Sequence, residues 1–264
     1  MDSNKARETA VKAALDAGKY ILKRLGQIER IDYKSAFNIV TDVDKKSEAM
    51  ILEILHSQFP EDDVIAEESG LLEKGRNGRR WYIDPLDGTT NFTHTYPFFA
   101  VSIGLEIEGK MELGVVYHCC ADELFVAERG KGAFLNDKPI QVSATEHLNT
   151  SLLATGFPPD TAKTSYNNME PFTRLTNLSH GVRRDGSAAL DLSFVACGRS
   201  DGFWEMKLSA WDVAAGSLIV SEAGGNVTDL QGGPLDMTTG HILATNGKIH
   251  QEVIDVLHEI GVEA

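Results

Sequence analysis

Cysteine is scarce in this sequence, and its few cysteines are not arranged for disulfide bonds or zinc. The chain of 264 residues contains 3 cysteines, and no two of them form a Cys-x-x-Cys pair. An odd count argues against a disulfide framework, and the missing pair argues against a structural zinc site. We therefore expect reduced, buried thiols and a cytoplasmic location.

Long apolar runs and an excess of positive charge are also absent. No apolar stretch reaches membrane-spanning length, and the N-terminus is polar rather than signal-like. Lysine and arginine number 25 against 39 aspartates and glutamates, which gives a formal net charge of -14. This balance disfavours nucleic acid as a partner, because such binding depends on an excess of positive side chains. A small anionic substrate remains compatible, because a metal can invert the local charge.

The first half of the chain, to about residue 145, predicts two helices and an antiparallel meander. Apolar residues recur at helical spacing over 3–26 and over 44–59. Residues 64–66 predict a short strand, 71–80 a mobile surface loop, and 98–142 the meander. Gly104 to Lys110 partly match a nucleotide-binding P-loop, but Met111 follows and the alternation favours a hairpin.

The second half, from about residue 146 to 264, alternates strands and helices. Predicted strands cover 152–154, 202–205 and 241–245, and predicted helices cover 161–178, 187–197, 211–223 and 248–260. No flexible linker separates the halves, so we expect a single domain over residues 1–264. Strands followed by α/β units indicate an α/β fold of layered sheets and helices.

The most informative stretch is WYIDPLDGTTNF, residues 81–92. Pro85 disfavours helix at Asp84, so Asp84 should lie extended at the end of a strand. Asp87 suits the position before a helix, and Gly88 permits a sharp turn. The two carboxylates attract hard cations, and free N–H groups at a helix start attract phosphate. An ordinary Pro-x-Asp-Gly turn is the alternative interpretation.

Three further acids stand where a predicted strand ends or a helix begins. Asp44 could be a helix N-cap, Glu67 a solvated loop acid, and Asp212 a partner of a helix dipole. If these acids met the pair in the central stretch, they would need cations. Two carboxylates about 4 Å apart repel by about 4 kcal/mol at an effective dielectric constant near 20. Magnesium resolves this repulsion, because it prefers carboxylate oxygens, waters and substrate phosphate.

The chain resembles the inositol monophosphatase family in several motifs. These are EES at 67–69, DPLDGTTNF at 84–92, WDVAAG at 211–216 and SEAGG at 221–225. The segments RRDGSAALDL at 183–192 and GFWE at 202–205 look most like bacterial members. The resemblance implies a sugar-phosphatase-like fold of alternating α and β layers, an αβαβα sandwich.

The resemblance also implies a site for two to three magnesium ions. A first ion would be bound by Glu67, Asp84 and the backbone carbonyl of Leu86. A second would be bound by Asp84, Asp87 and Asp212, and a weaker third would rely on Glu67 and water. The family resemblance therefore assigns a metal-binding role to Glu67, Asp84, Asp87 and Asp212.

Catalytic and substrate-binding residues follow from the same resemblance. Thr89, paired with Asp44, would orient and deprotonate the attacking water, and Glu67 would join them as a catalytic residue. The substrate-binding residues would be Gly88 and Thr89 for the phosphate, and Gly186, Ser187, Ala188, Glu205 and Asp212 for the alcohol. A carboxylate such as Glu205 suits a polyol, because it accepts hydrogen bonds from hydroxyl groups.

The implied activity is magnesium-dependent hydrolysis of inositol monophosphate to inositol and phosphate by a metal-activated water. Lithium sensitivity and a homodimer are expected from the family. Fructose 1,6-bisphosphate, NADP or a nucleotide 3'-phosphate are alternative substrates, and Arg183 and Arg184 could admit a second phosphate or form a solvated surface pair. An additional, non-catalytic interaction role is a further alternative. The segment at 155–159, TGFPP, departs from animal members, which affects one contact to the sugar.

Overall fold

The computed structural model describes residues 3–35, 38–72 and 77–262, which form helices and strands in alternation. The helices are α1 (Ser3–Arg24), α2 (Asp42–Gln58), α3 (Thr89–Thr93), α4 (Met169–Leu178), α5 (Ala188–Ala196), α6 (Ala210–Glu222) and α7 (His250–Glu259). The strands are β1 (Ile31–Ser35), β2 (Asn38–Thr41), β3 (Asp63–Ala66), β4 (Gly70–Leu72), β5 (Arg79–Asp87), β6 (Ala100–Ile107), β7 (Lys110–His118), β8 (Glu123–Glu128), β9 (Gly132–Leu135), β10 (Lys138–Ile140), β11 (Leu152–Thr155), β12 (Gly181–Arg183), β13 (Gly202–Glu205), β14 (Asn226–Thr228) and β15 (Ile242–Thr245). Within these described ranges, no helix has the length and apolar character needed to cross a membrane.

Two main sheets and three layers of helices alternate, and β1 and β2 form a separate two-stranded antiparallel sheet. The larger sheet has the strand order β10-β9-β8-β7-β6-β5-β3-β4, and the smaller has β12-β11-β13-β15-β14. Helices α1 and α2 cover the outer face of the larger sheet, α5 and α6 lie between the sheets, and α4 and α7 cover the smaller sheet. The layered α/β sandwich expected from the sequence is confirmed.

Alternating side chains of single strands fill separate cores. On β5, Trp81 and Ile83 pack with α1 and α2, whereas Tyr82 between them packs toward the middle layer. On β13, Phe203 packs toward the middle layer and Trp204 toward α4 and α7. Successive side chains of a strand point to opposite faces, so each apolar strand joins two layers of the sandwich.

Helix α6 lies unusually close to the larger sheet because glycines face it. Gly104 of β6 and Gly114 of β7 are paired directly opposite each other. A Cβ atom on Gly114 would lie 2.5 Å from the carbonyl oxygen of Ala215, and one on Gly104 would lie 3.1 Å from the Cβ of Ala214. The missing side chains therefore let α6 approach the sheet, which fixes the position of Asp212 in its first turn.

Helix α2 begins earlier than the sequence predicted. Its N-cap is Thr41, whose hydroxyl accepts from the N–H of Val43 and of Asp44, while the Asp44 carboxylate accepts from the Thr41 N–H at 2.8 Å. This reciprocal arrangement is a capping box. The interpretation of Asp44 as a plain N-cap is therefore wrong, because Asp44 is the third helical residue.

Two other segments differ from their predicted structure. Thr161–Lys163 form a short 3-10 helix of their own. Residues 164–168 are not helical, because Tyr166 N–H donates to the Thr164 hydroxyl and the Asn167 amide donates to the Thr164 carbonyl. Such side-chain bonds compete with helical ones. Residues 71–72 and 79–80 of the predicted surface loop belong to β4 and β5, and its residues 73–76 lie outside the described residues.

Replacing Gly114 by alanine should destabilise the protein through the contact with α6. The added Cβ would meet backbone atoms, which cannot move aside as the end of a side chain can. We expect the free energy of unfolding to fall by about 1–3 kcal/mol, as in other overpacked cores. Urea unfolding measures the change, and Lys110→Ala, at an exposed position of the same strand, serves as the control. Equal stability of Gly114→Ala and the unchanged protein would contradict the role of this glycine.

Candidate active site

Strand β5 carries Asp84 and Asp87 through an irregularity in its pairing. Asp84 lies opposite Ser102 of β6 and Asp87 opposite Ala100, so β5 has one residue more than β6 between these pairs. Pro85 lies in this bulge, where its missing N–H is tolerated. The extra residue puts both carboxylates on the same side of the strand, which regular alternation would not do. The sequence predicted that this strand ends at Asp84. In the structure it continues to Asp87.

A tight turn follows Asp87 and leads into the short helix α3. Gly88 has φ of 94°, and a Cβ there would lie 3.0 Å from the carbonyl oxygen of Phe98. Both the positive φ and the close approach require glycine. The next residue, Thr89, donates its hydroxyl proton to Asp44 Oδ1 at 2.7 Å, with the carbonyl oxygen of Leu86 at 3.1 Å as a second acceptor.

The Asp87 carboxylate is held by the start of α5. Ser187 Oγ and the backbone N–H of Ala189 both donate to Asp87 Oδ2, each at 2.7 Å. Ser187 is also the N-cap of α5 and accepts from the N–H of Leu190. The hydroxyl proton of Ser187 is thus directed to Asp87, and a contact from Ser187 to a substrate would use its remaining oxygen lone pair.

Glu67 and Asp212 reach the same region from two other elements. Strand β3 runs parallel to β5, and the N–H of Glu67 donates to the carbonyl oxygen of Ile83, the residue before Asp84. Asp212 belongs to a capping box at the start of α6 and accepts from the Ser209 N–H at 2.7 Å. Strand ends and a helix start therefore bring these carboxylates together.

The acids strongly affect one another's ionisation. Burial raises the pKa of Asp84 well above its usual range, and the charges of Glu67, Asp87 and Asp212 raise it further. Burial also raises the pKa of Asp87 to about 6, although the Ser187 hydroxyl and the N–H groups of α5 oppose the shift. The pKa of Asp212 is likewise raised well above its usual range, first by burial and then by Asp87.

These residues fit a hard cation by their chemistry. The charge of Asp212 contributes to the raised pKa of Asp84, so the two carboxylates are near enough to repel each other, and a proton or a cation between them would relieve that repulsion. All the donor atoms are oxygens, which magnesium and calcium prefer. No group of three or more His, Cys, Asp or Glu side chains that could hold a metal ion is found within 3–35, 38–72 and 77–262. The acids therefore interact strongly without forming a closed set of ligands.

A cleft of about 420 Å³ lies beside the acids. Among the predicted site residues, Glu67, Gly88, Thr89 and Gly186 line it. The side chains of Ser187 and Ala188 are buried next to it, at 1% and 7% exposure. The remaining lining residues are Ile39, Thr90, Asn91, Phe157, Pro158, Pro159, Thr161 and Arg184.

Glu205 and Asp191 are two further buried acids of this region. Burial, followed by the charges of Asp212 and Asp87, raises the pKa of Glu205 to about 8, while Arg184 lowers it. Asp191 of α5 is 2% exposed, and burial raises its pKa well above the usual range, with Asp185 and Glu205 contributing.

Asp191 and Asn91 were not predicted from the sequence to belong to this site. Asp191 is the only charged residue of helix α5, and that isolation is the signal that could have revealed it. Asn91 donates to the carbonyl oxygens of Asp185 and Phe98, each at 2.7 Å, and so joins the turn before α5 to α3. Its partners lie far from it in the chain, so no local pattern predicts this role.

Comparisons with known proteins agree with the geometry. The model of the inositol monophosphatase family matches residues 2–261. An inositol-1-monophosphatase of Synechocystis sp. is 52% identical over 251 residues, which are 95% of this chain and 88% of that protein. The Nus factor SuhB of Escherichia coli (strain K12) is 44% identical over 242 residues, 91% of each. A solved inositol monophosphatase from Anabaena (Nostoc) sp. PCC 7120 has a TM-score of 0.88 at 49% identity, with 96% of this chain and 94% of that chain covered.

Neutralising one of the converging acids should stabilise the protein when divalent cations are absent. Asp84→Asn keeps an oxygen that can accept from the Leu86 N–H but removes the repulsion from Glu67, Asp87 and Asp212. We expect the free energy of unfolding at pH 7 to rise by on the order of 1–2 kcal/mol, the equivalent of about one pKa unit.

Unfolding in EDTA over a range of pH checks this expectation. A raised pKa in the folded state means that stability falls as pH rises from the ordinary aspartate range through about 6, the pKa of Asp87. Asp84→Asn should flatten this fall, whereas Glu61→Gln at an exposed position should not. A destabilised Asp84→Asn protein under these conditions would contradict the repulsion.

Proposed function

Because the chain belongs to the inositol monophosphatase family and is a phosphatase, we propose that it hydrolyses inositol monophosphate to inositol and phosphate with magnesium. The observation that carries this proposal is the convergence of Glu67, Asp84, Asp87 and Asp212 beside a cleft. Buried carboxylates that repel one another lower the stability of the fold, and a role in binding cations would account for their presence.

Magnesium would be held by Glu67, Asp84, Asp87, Asp212 and the carbonyl oxygen of Leu86, as two or three ions. When bound, it would neutralise these carboxylates, acidify the attacking water and stabilise charge on the phosphoryl oxygens. The requirement for acceleration is large, because hydrolysis of phosphate monoesters is among the slowest uncatalysed reactions.

Thr89 and Asp44 would accept the proton of the attacking water. The Thr89 hydroxyl donates to Asp44 at 2.7 Å, so its oxygen can accept a proton from water as its own proton passes to Asp44. Burial raises the pKa of Asp44, and a more basic carboxylate is a better proton acceptor. Glu67, which lines the cleft, would orient the same water from the other side.

The phosphate and the alcohol would be bound by different parts of the cleft. The N–H groups of Gly88 and Thr89 lie at the turn into α3 and would donate to the phosphate oxygens. Gly186, Ser187, Ala188, Glu205 and Asp212 would bind the alcohol, with Glu205 accepting from its hydroxyl groups.

Phosphate release from inositol 1-phosphate, measured with and without EDTA, tests the proposal. EDTA and Asp84→Asn should each abolish release. Thr89→Val should lower kcat by about 10²–10⁴-fold, the range for loss of a proton-transfer group, whereas Thr89→Ser retains the hydroxyl and most of the activity. Unchanged release by Asp84→Asn, or release that is insensitive to EDTA, would refute a metal-dependent reaction at these residues.

The substrate has alternatives that share this chemistry. Arg184 lines the cleft and could bind a second phosphate, as in fructose 1,6-bisphosphate, NADP or a nucleotide 3'-phosphate. Ranking these esters by kcat/KM against inositol 1-phosphate separates them. We expect inositol 1-phosphate to rank first, and a preference for a bisphosphate that Arg184→Ala weakens would overturn that order.

A second role in protein interaction is suggested by relatives that carry the name Nus factor SuhB. We propose this role as additional to catalysis, because the acids that suit metal binding are present here. In a pull-down with the Asp87→Asn protein, partner capture that survives while phosphate release is lost would support a separate role. Loss of both together would argue against it.

Lithium inhibition, a homodimer and a cytoplasmic location also belong to this proposal. Lithium inhibition would arise because lithium competes with magnesium for the carboxylates of the site. A cytoplasmic location agrees with the three free cysteines, Cys119, Cys120 and Cys197.

A further inference from the structure

Glu205 lies against a residue that has no side chain. Strands β11 and β13 run parallel, with Thr155 opposite Trp204, so that Gly156, just after β11, lies beside Glu205, the last residue of β13. A Cβ atom on Gly156 would collide with both carboxylate oxygens of Glu205. The backbone at Gly156 is not in the left-handed region, so space rather than conformation accounts for glycine here.

A fully buried hydrogen-bond network lies directly beneath this pair. Thr155 Oγ1 donates to the Trp204 carbonyl oxygen at 2.6 Å, and Trp204 Nε1 donates to Asn168 Oδ1 at 2.6 Å. Asn168 Nδ2 in turn donates to Thr155 Oγ1 at 2.6 Å and to the Gly156 carbonyl oxygen at 2.7 Å. Thr155, Asn168 and Trp204 are all 0% exposed. The network thus fixes the backbone on both sides of the Glu205 carboxylate.

The side chain of Asn168 bonds to this network instead of capping helix α4. Asn168 is the N-cap residue of α4, where asparagine usually bonds to the first helical N–H groups, but its side chain makes no capping bond. The neighbouring Asn167 accepts from the Met169 N–H instead. One turn later, Phe172 of α4 packs edge-on against Phe157, which lines the cleft. Helix α4 therefore supports the cleft wall at two points.

We propose that Thr155, Gly156 and Asn168 are positioning residues that hold Glu205 and the Phe157 wall, and so determine which alcohol the phosphatase accepts. This inference rests on the proposed function, in which Glu205 binds the alcohol part of the ester. The phosphate-binding turn at Gly88 and Thr89 belongs to β5 and α3 and is separate from this network.

The physical reason is that the network holds the backbone oxygens of Trp204 and Gly156, and so the position from which the Glu205 carboxylate reaches the cleft. A carboxylate held in one orientation accepts hydrogen bonds from hydroxyl groups at defined positions, and a displaced one loses those bonds. Loss of one hydrogen bond to a charged group lowers affinity by about 10-fold to 100-fold. An ester whose alcohol part has no further hydroxyl groups does not gain these bonds and should be affected far less.

Gly156→Ala tests the inference with kcat and KM for inositol 1-phosphate and for p-nitrophenyl phosphate. The atoms nearest to the added Cβ would be side-chain atoms of Glu205 and not backbone, so the carboxylate can be displaced and we expect a folded protein. The preference for inositol 1-phosphate should fall by about 10-fold or more, mainly through KM. In a Glu205→Ala background, the same change should have no further effect, because Gly156 acts through Glu205. Additive losses, or an unchanged preference, would overturn the proposal.

A pair of changes at Thr155 tests the network itself. Thr155→Val removes the hydroxyl at nearly constant size and should reduce the preference, whereas Thr155→Ser keeps the hydroxyl and should restore it. Gly225→Ala is the control for general destabilisation, because its Cβ would meet the Thr245 carbonyl oxygen at 2.6 Å in another part of the fold. A similar loss of preference in Gly225→Ala or in Thr155→Ser would contradict the specific role.

The two proposals fail in distinguishable ways. If the unchanged protein does not hydrolyse inositol 1-phosphate, the proposed function is wrong. If it does so, and Gly156→Ala and Thr155→Val keep the same ester preference, only the positioning role is wrong.

Discussion

The repulsion among buried carboxylates is the constraint on which the rest of this structure depends. Burial raises the pKa of Asp84, Asp87 and Asp212, the charges of Asp87 and Asp212 raise that of Asp84 further, and each of the three carboxylates is restrained by a donor. These donors are the N–H groups of Leu86, Ala189 and Ser209 and the hydroxyl of Ser187. A carboxylate that could turn away would relieve the repulsion, so the surrounding hydrogen bonds are what keep the negative charge concentrated.

The packing of the layers brings these carboxylates together from distant parts of the chain. The bulge in β5 turns two carboxylates to one side, and the paired glycines Gly104 and Gly114 let α6 carry Asp212 close to the sheet. Helix α5 contributes the donors to Asp87 from the same middle layer. Glu205, which we propose to bind the alcohol, comes from the smaller sheet, at the end of β13. The cleft therefore combines chemistry from both sheets, and a phosphatase reaction can use separate elements for charge and for selectivity.

Most helices and strands could be read from the sequence, because apolar periodicity and turn residues are local signals. The errors arose where side chains bond to the backbone in ways that periodicity does not express. Thr41 and Asp44 form a capping box that moves the start of α2, and Thr164 and Asn167 form bonds that exclude residues before α4 from the helix. The bond from the Ser187 hydroxyl to Asp87 is a further contact that periodicity does not express, and the assignment of Ser187 to the alcohol stays a prediction.

The sequence by itself determined the layered α/β class, the motif that carries Asp84 and Asp87, and the family. Those features depend on residues that are neighbours in the chain. Only the tertiary structure decided that Glu67 and Asp212 approach Asp84, that Asp44 accepts from Thr89, and that Gly156 makes room for Glu205. These contacts join residues of separate strands and helices. Their distances follow from how the layers pack, which no local pattern of residues encodes.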